Sequence, residues 1–217
     1  MTESLPASAV IRVGRATFDP SLFADFSALV TKQADYLIPA IKELPGLISW
    51  FTGVSPEGSM VQISIWDTEA HAKQMDDLKL MAVVARGEME AIGGHFERPI
   101  INYPINWTIA GSVPAAAVIH VARGSFDADR FAEVETLAIK QAEYLIPAIE
   151  RLPGLVHWYT AVSPVGAIAN ISVWDSSDHA VQMDSLHEMV TVARGEFQQL
   201  DALTFHPIVD YPINWTI

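Results

Sequence analysis

Trp66 and Trp174 are the residues in this sequence best suited to hold a flat organic molecule. Polar side chains recur every second position before each of them, Gln62 and Ser64 before Trp66, Asn170 and Ser172 before Trp174. In an extended chain that spacing puts ring and polar groups on one face. An indole with an N–H and several hydrogen-bonding neighbours would then line a cavity for a planar, small aromatic or hydrophobic ligand. The plainer alternative is that each indole plugs the core at the end of its strand.

Five positions on, His71 and His179 supply imidazoles, which titrate near neutral pH and are suited to moving a proton. Met75 and Met183 follow one helical turn later, but no His, Asp or Glu cluster at metal-ligand spacing accompanies them, so no metal is expected. Arg86 and Arg194, each in an Arg-Gly-Glu triplet, would stabilise the oxygen anion of a phenolate or enolate. Their alternative is an Arg–Glu or Arg–Asp bridge that holds the helix to its partner, for instance with Asp76 or Asp184. A glycine inside a helix costs about 1 kcal/mol relative to alanine, so Gly87 and Gly195 predict close packing. Asn106 and Asn214 stand in strand-like sequence, where asparagine is depleted; each amide either faces a ligand or hydrogen-bonds across a seam between two like halves. Lys32, Gln33 and Tyr36, with Lys140, Gln141 and Tyr144, sit around one side of the first helix, either as a pocket wall or, the reading preferred, as a solvated helix face.

Every one of these residues occurs as a pair because the chain is a tandem repeat. Tyr103-Pro104-Ile105-Asn106-Trp107-Thr108-Ile109 returns as Tyr211-Pro212-Ile213-Asn214-Trp215-Thr216-Ile217, a spacing of 108 positions that holds without a gap from Ala9 onward, with about half of the aligned residues identical. A period of this length is a domain. Two domains are predicted, 8–110 and 116–217. The copies differ where repeat two has His120, His157, His187 and His206 and repeat one has Arg12, Ser49, Lys79 and Arg98; if only one half is catalytic, it would show there.

Within a repeat, Ala9 to Phe18 reads as a strand, and Asp19-Pro20 as a helix start. The helix runs to Leu44-Pro45-Gly46. Leu47 to Val54 and Met60 to Trp66 read as a hairpin around Ser55-Pro56-Glu57-Gly58. A second helix is predicted from Asp67-Thr68 to Gly93-Gly94, with Met75, Leu78, Ala82, Ala85, Met89 and Ile92 as its apolar stripe. Tyr103 to Ile109 is the last strand. This order gives an α+β fold, two ferredoxin-like βαββαβ repeats whose antiparallel sheets close an intramolecular α/β barrel, because each bare sheet face needs a cover.

With 26 acidic against 13 basic residues the formal charge is −13, which disfavours nucleic acid and anionic membranes as partners. The chain has no cysteine, so disulfides, thiolate metal sites and a cysteine nucleophile are excluded and a cytoplasmic location is the default. No membrane span or signal segment is read. A homodimer of the whole chain is the expected higher assembly.

Leu44-Pro45-Gly46-Leu47, the Ser-Pro-x-Gly turn and Ile65-Trp66-Asp67-Thr68-Glu69-Ala70-His71, repeated from Leu152 to His179, resemble the antibiotic biosynthesis monooxygenase family of the dimeric α/β barrel superfamily. The resemblance implies a cofactor-independent monooxygenase with a pocket between sheet and helices, acting on a small phenol or hydroquinone. Trp66 and Trp174 match the family's tryptophan. Catalysis would fall to His71, His179, Arg86 and Arg194, and substrate binding to Trp66, Trp174, Gln62, Asn170, Asn106 and Asn214. The haem-degrading branch carries a first-strand asparagine that is absent here, where Arg12, Arg15, His120 and Arg123 stand, so no haem, flavin or other cofactor is expected. The competing reading is a non-catalytic ligand-binding or stress-associated barrel.

Overall fold

Asp19 shows how closely local chemistry sets the elements. Its carboxylate accepts from the Ser21 N–H at 2.9 Å and caps a short 3₁₀ turn that begins at Pro20; proline costs nothing there because its missing N–H would have no partner. The turn feeds α1 (Phe23–Lys42). A computed structural model of the chain describes residues 5–114, 116–200 and 202–217. Ahead of α1 lies β1 (Val10–Thr17), and after it come β2 (Leu47–Ser55), β3 (Ser59–Trp66), α2 (Glu69–Lys73), α3 (Arg86–Ala91), β4 (His95–Phe96) and β5 (Ile101–Ile109). The second repeat matches it with β6 (Val118–Ser125), α4 (Phe131–Ile149), β7 (Leu155–Ser163), β8 (Ala167–Trp174), α5 (Ser177–Ala180), α6 (Arg194–Gln199), β9 (Thr204–Phe205) and β10 (Val209–Thr216).

The chain divides into two compact units. One holds residues 5–102 together with Tyr211–Ile217, and the other holds the described residues of Tyr103–Asp210; they are called here the N-terminal and C-terminal units. In the N-terminal unit β10, β2, β3 and β1 are successive antiparallel neighbours, with β4 beside β1. In the C-terminal unit β5, β7, β8 and β6 follow the same order, with β9 beside β6. Thus the last strand of each repeat pairs with the second strand of the other repeat.

Asn106 and Asn214 mark this exchange. Both pairings slip by one residue at the asparagine, between Ile105 and Trp107 and between Ile213 and Trp215, the signature of a β-bulge. A bulge leaves backbone groups out of the ladder, and the Asn106 Oδ1 accepts one of them, the Val162 N–H at 2.9 Å. Asn214 instead donates Nδ2 to Ser27 Oγ at 2.9 Å.

The predicted second helix is not continuous. α2 gives way to a 3₁₀ turn, and a π-helical segment spans Leu80–Ala85 before α3; Glu188–Ala193 does the same before α6. The predicted apolar stripe holds through these changes of pitch: Met75, Ala85 and Met89 are buried, Leu78 and Ile92 pack against the core, and Ala82 is half-buried. Gly87 and Gly195 do not pack closely, since a Cβ at either would meet nothing within 4 Å. Gly46 and Gly154 are the demanding glycines: φ is +81° and +82°, and a Cβ would run into the imidazole of His71 or His179 and the carboxylate of Asp67 or Asp175.

Candidate functional site

Each unit contains one cavity at the equivalent place, between its sheet and its helices, of about 330 Å³ in the N-terminal unit and about 340 Å³ in the C-terminal unit. Strand alternation sets the floor. Gln62 and Ser64 of β3 reach the first cavity and Asn170 of β8 the second, because side chains two apart share a face. The π-helical segments supply part of the lid, through Met81 and Ala82 in one cavity and Met189 and Val190 in the other.

Trp66 and Trp174 are not on either cavity wall. Both are fully buried, and each Nε1 donates 2.8 Å to a serine hydroxyl, Ser64 or Ser172. Their indoles belong to the core, the plainer of the two readings. The indoles that line the cavities are Trp50 in the first and Trp158 and Trp107 in the second; Trp50 stacks on Trp215 of the bulged strand with centroids 5.8 Å apart, and Trp158 on Trp107 at 5.9 Å. Their repetition in the sequence was a visible signal, but nothing local separates a wall from a plug.

His71 and His179 likewise sit away from the cavities. Each follows the residue that caps its helix, Thr68 or Ser176, and bonds through Nδ1 to Asp67 at 2.6 Å or Asp175 at 2.5 Å. The bond to histidine holds the carboxyl of each aspartate below its ordinary range. With Gly46 and Gly154 against them, these pairs clasp the loop before β2 or β7 to the start of the helix. Asn106 and Asn214 also lie off the cavities, at the bulges, where the amides bond from one repeat to the other.

Arg86 and Arg194 do line the cavities, as do Gln62 and Asn170. Arg86 pairs with Glu90 at 2.9 Å rather than with Asp76. Arg194 has Gln198 at that place and instead stacks over the Phe205 ring at 4.9 Å, a cation–π contact. Gln33 and Gln141 are buried instead of solvated. Each donates to the carbonyl where the π segment meets the α-helix, Ala85 at 3.0 Å and Ala193 at 3.1 Å, and to Glu88 or Glu196. Tyr36 and Tyr144 donate to the same carboxylates at 2.8 Å, and burial followed by that carboxylate pushes both hydroxyls well above their ordinary pKa.

One polar group on the C-terminal cavity wall was visible only as a difference between repeats. His120 is 4% exposed, lines the cavity and has Nδ1 2.8 Å from Asp210 Oδ1. The carboxylate fixes the tautomer, with the proton on Nδ1 and the Nε2 lone pair available as a base. Beside it, Trp158 Nε1 donates to Thr160 Oγ1 at 2.8 Å, which in turn donates to Asn170 Oδ1 at 2.8 Å. That relay orients the Asn170 amide and leaves its Nδ2 as the donor for a ligand. Phe205, Ile208 and Val190 form an apolar lip. In the N-terminal cavity the dyad is replaced by Arg12, which donates to Asp76 at 2.5 Å and to Asn102 at 3.2 Å. Among the described residues no three His, Cys, Asp or Glu side chains gather in a way that would hold a metal, and no helix is long and apolar enough to cross a membrane.

No protein-family model matches the chain, and no curated protein matches it. Solved structures do. An anthrone oxidase-like protein superposes with a TM-score of 0.68 at 10% identity, over 97% of this chain and 93% of its own. A protein of Fusobacterium nucleatum provisionally called a monooxygenase gives 0.65 at 7% identity, over 97% and 94%. A ferredoxin-fold protein of Listeria monocytogenes, related to antibiotic biosynthesis monooxygenases, gives 0.50 at 8% identity over 98% of both chains. The chain therefore has the α+β, ferredoxin-like fold that these proteins share.

Proposed function

We propose that the C-terminal cavity is the active site of a monooxygenase that oxygenates a small phenol or hydroquinone-like aromatic without metal, haem or flavin. The observation that carries this reading is His120, a buried imidazole on the wall of an apolar cavity, oriented by Asp210 and set beside Trp158 and Asn170. The similarity in fold to an anthrone oxidase-like protein agrees with it.

The aromatic ring lies against Trp158, and its hydroxyl hydrogen-bonds to Asn170 Nδ2. His120 Nε2 takes the phenolic proton, and Asp210 stabilises the imidazolium that forms. Arg194, with no carboxylate partner among the described residues, attracts the phenolate as its charge develops. The phenolate transfers one electron to dioxygen, and the radical pair recombines into a carbon–oxygen bond, giving a peroxide on the ring. Loss of the ring C–H proton to base breaks the O–O bond and releases water. Phenol and dioxygen become quinone and water, and the substrate supplies all the electrons. Apolar walls suit this step because they exclude water from the anion and the superoxide partner.

The test is oxygen uptake by the full chain across a panel of phenols, hydroquinones and anthrones, with product mass and an absorption spectrum of the protein. One oxygen atom from ¹⁸O₂ in the product, with no Soret or flavin band, is the expected result. Absence of uptake over the whole panel, or activity that requires bound haem, overturns the proposal.

A further inference from the structure

The two cavities occupy the same place in their units, yet the N-terminal one has lost the base and gained permanent positive charge. Where the C-terminal cavity carries His120 and His206, the N-terminal one carries Arg12 and Arg98; the Asp210 behind the first histidine has become Asn102. Arg15 and Arg86 complete a set of four guanidinium groups on one wall system, against Asp76 as the only carboxylate that lines the cavity among the described residues.

Two of these arginines are held in the fold. Arg12 and Arg15 have side chains 7% and 9% exposed. Arg12 spans Asp76 and Asn102. Arg15 gives one terminal nitrogen to Glu97 and the other to the Tyr211 hydroxyl, while its buried Nε has no hydrogen-bond partner. A buried charged donor left unmet is costly, and an anionic oxygen is the group that would meet it. The other two are at the opening. Arg86 has only the solvent-screened pairing with Glu90, and Arg98 is exposed without a carboxylate partner among the described residues. In a chain of formal charge −13 a cavity of this sign draws anions selectively, because its low-dielectric walls focus the field.

The rest of the lining is apolar and adaptable. Met60, Met75, Met81 and Met89 line the cavity together with Trp50, and thioether chains fit themselves to flat or irregular ligands. From these observations we infer that the N-terminal cavity is a binding site for a small organic carboxylate with an aromatic or branched apolar body, and that it binds without turnover. The carboxylate meets Arg98 and Arg86 at the mouth and the Arg12 and Arg15 pair behind them, while the apolar body lies among the methionines. The inference does not depend on the oxygenase reading, since a different cavity and different residues carry it.

Methionine distribution makes the test specific. Besides Met1 the chain has six methionines, four at this cavity and two, Met183 and Met189, at the other. The full chain labelled with ¹³C at the methionine methyls is titrated with 1-naphthoate and, separately, with the neutral 1-naphthamide, each methyl having been assigned by substitution to leucine. Saturable ring-current shifts at Met60, Met75, Met81 or Met89 with naphthoate, about tenfold tighter than with the amide, are expected, as is a weakening of about fivefold to tenfold in Arg98→Gln and in Arg86→Gln. Arg98 is exposed, so that variant keeps its fold, which circular dichroism verifies. Equal affinity for acid and amide, shifts confined to Met183 and Met189, or unchanged affinity in Arg98→Gln overturns the inference.

Discussion

His120 and Asp210 are 90 positions apart in sequence, yet Nδ1 and Oδ1 meet at 2.8 Å beside the C-terminal cavity, while their counterparts Arg12 and Asn102 meet at 3.2 Å. Both members of the pair differ together between the repeats. A base needs a carboxylate to hold its tautomer and its positive form, whereas an arginine is charged without help and a neutral amide suffices beside it.

If this dyad takes the substrate proton, His120→Gln lowers oxygen uptake by about 100-fold or more, since general-base assistance contributes on that scale. Asp210→Asn keeps the packing but favours the wrong tautomer, so kcat falls while KM changes little. Steady-state kinetics with an oxygen electrode measure both. Equal activity of wild type and His120→Gln would remove the imidazole from the mechanism.

Tryptophan substitutions separate wall from core. Trp158→Phe weakens binding of a phenol, read as saturable quenching of intrinsic fluorescence; Trp158 is as buried as Trp174 and donates to Thr160, so both variants melt lower and affinity tells them apart. Trp174→Phe acts on stability alone. It removes a fully buried indole and leaves the Ser172 hydroxyl without its donor, a change that costs about 1–3 kcal/mol, and ligand affinity stays near wild type. Affinity lost in Trp174→Phe and kept in Trp158→Phe would reverse the assignment.

Stability rises with pH in two windows. Burial pushes the His157 imidazole below its ordinary value, and its Nδ1 accepts from the Gly111 N–H at 3.3 Å. A lowered folded pKa means that the unfolded chain takes up the proton first, so stability is lost as pH falls below about 6.5. The second window belongs to carboxylates held low: Asp67 and Asp175 by their histidines, Glu88 by Gln33 and Tyr36. Their contribution is present above the ordinary carboxylate range and fades below about pH 4. Thermal melts across pH check this. His157→Ser, the residue of the first repeat, flattens the upper window and leaves the lower one; an unchanged slope there would exclude His157 as its source.

Deletion of residues 209–217 removes β10 from the N-terminal unit. The edge of β2 is left unpaired and Trp50 loses its stacking partner Trp215. An open, apolar edge pairs with other chains, so the truncated protein is expected to melt lower and to self-associate in light scattering. A monodisperse truncated chain as stable as wild type would show that the exchanged strand contributes little.

Much of this architecture is written locally. The Asp19-Pro20 helix start, the Thr68 and Ser176 caps, the Leu-Pro-Gly stops and the hairpins each depend on residues a few positions apart, where capping, proline geometry and left-handed glycine leave little choice. Strand alternation also put Gln62 and Asn170 on the cavity face, and the repeated Arg-Gly-Glu put Arg86 and Arg194 beside it. What local spacing does not carry is depth and distance. Alternation places Trp66 and Trp174 on the correct face but does not say that the helix start covers them, whereas Trp50 and Trp158 stay under open space. Helical counting across 67–94 finds the buried stripe but not the 3₁₀ turn and π segment that interrupt the helix, because those depend on what packs against it. The pairing of His120 with Asp210, and of each repeat's last strand with the other repeat, joins residues separated by most of a domain. Those contacts exist only once the chain has closed on itself, because no local rule brings a base to its carboxylate.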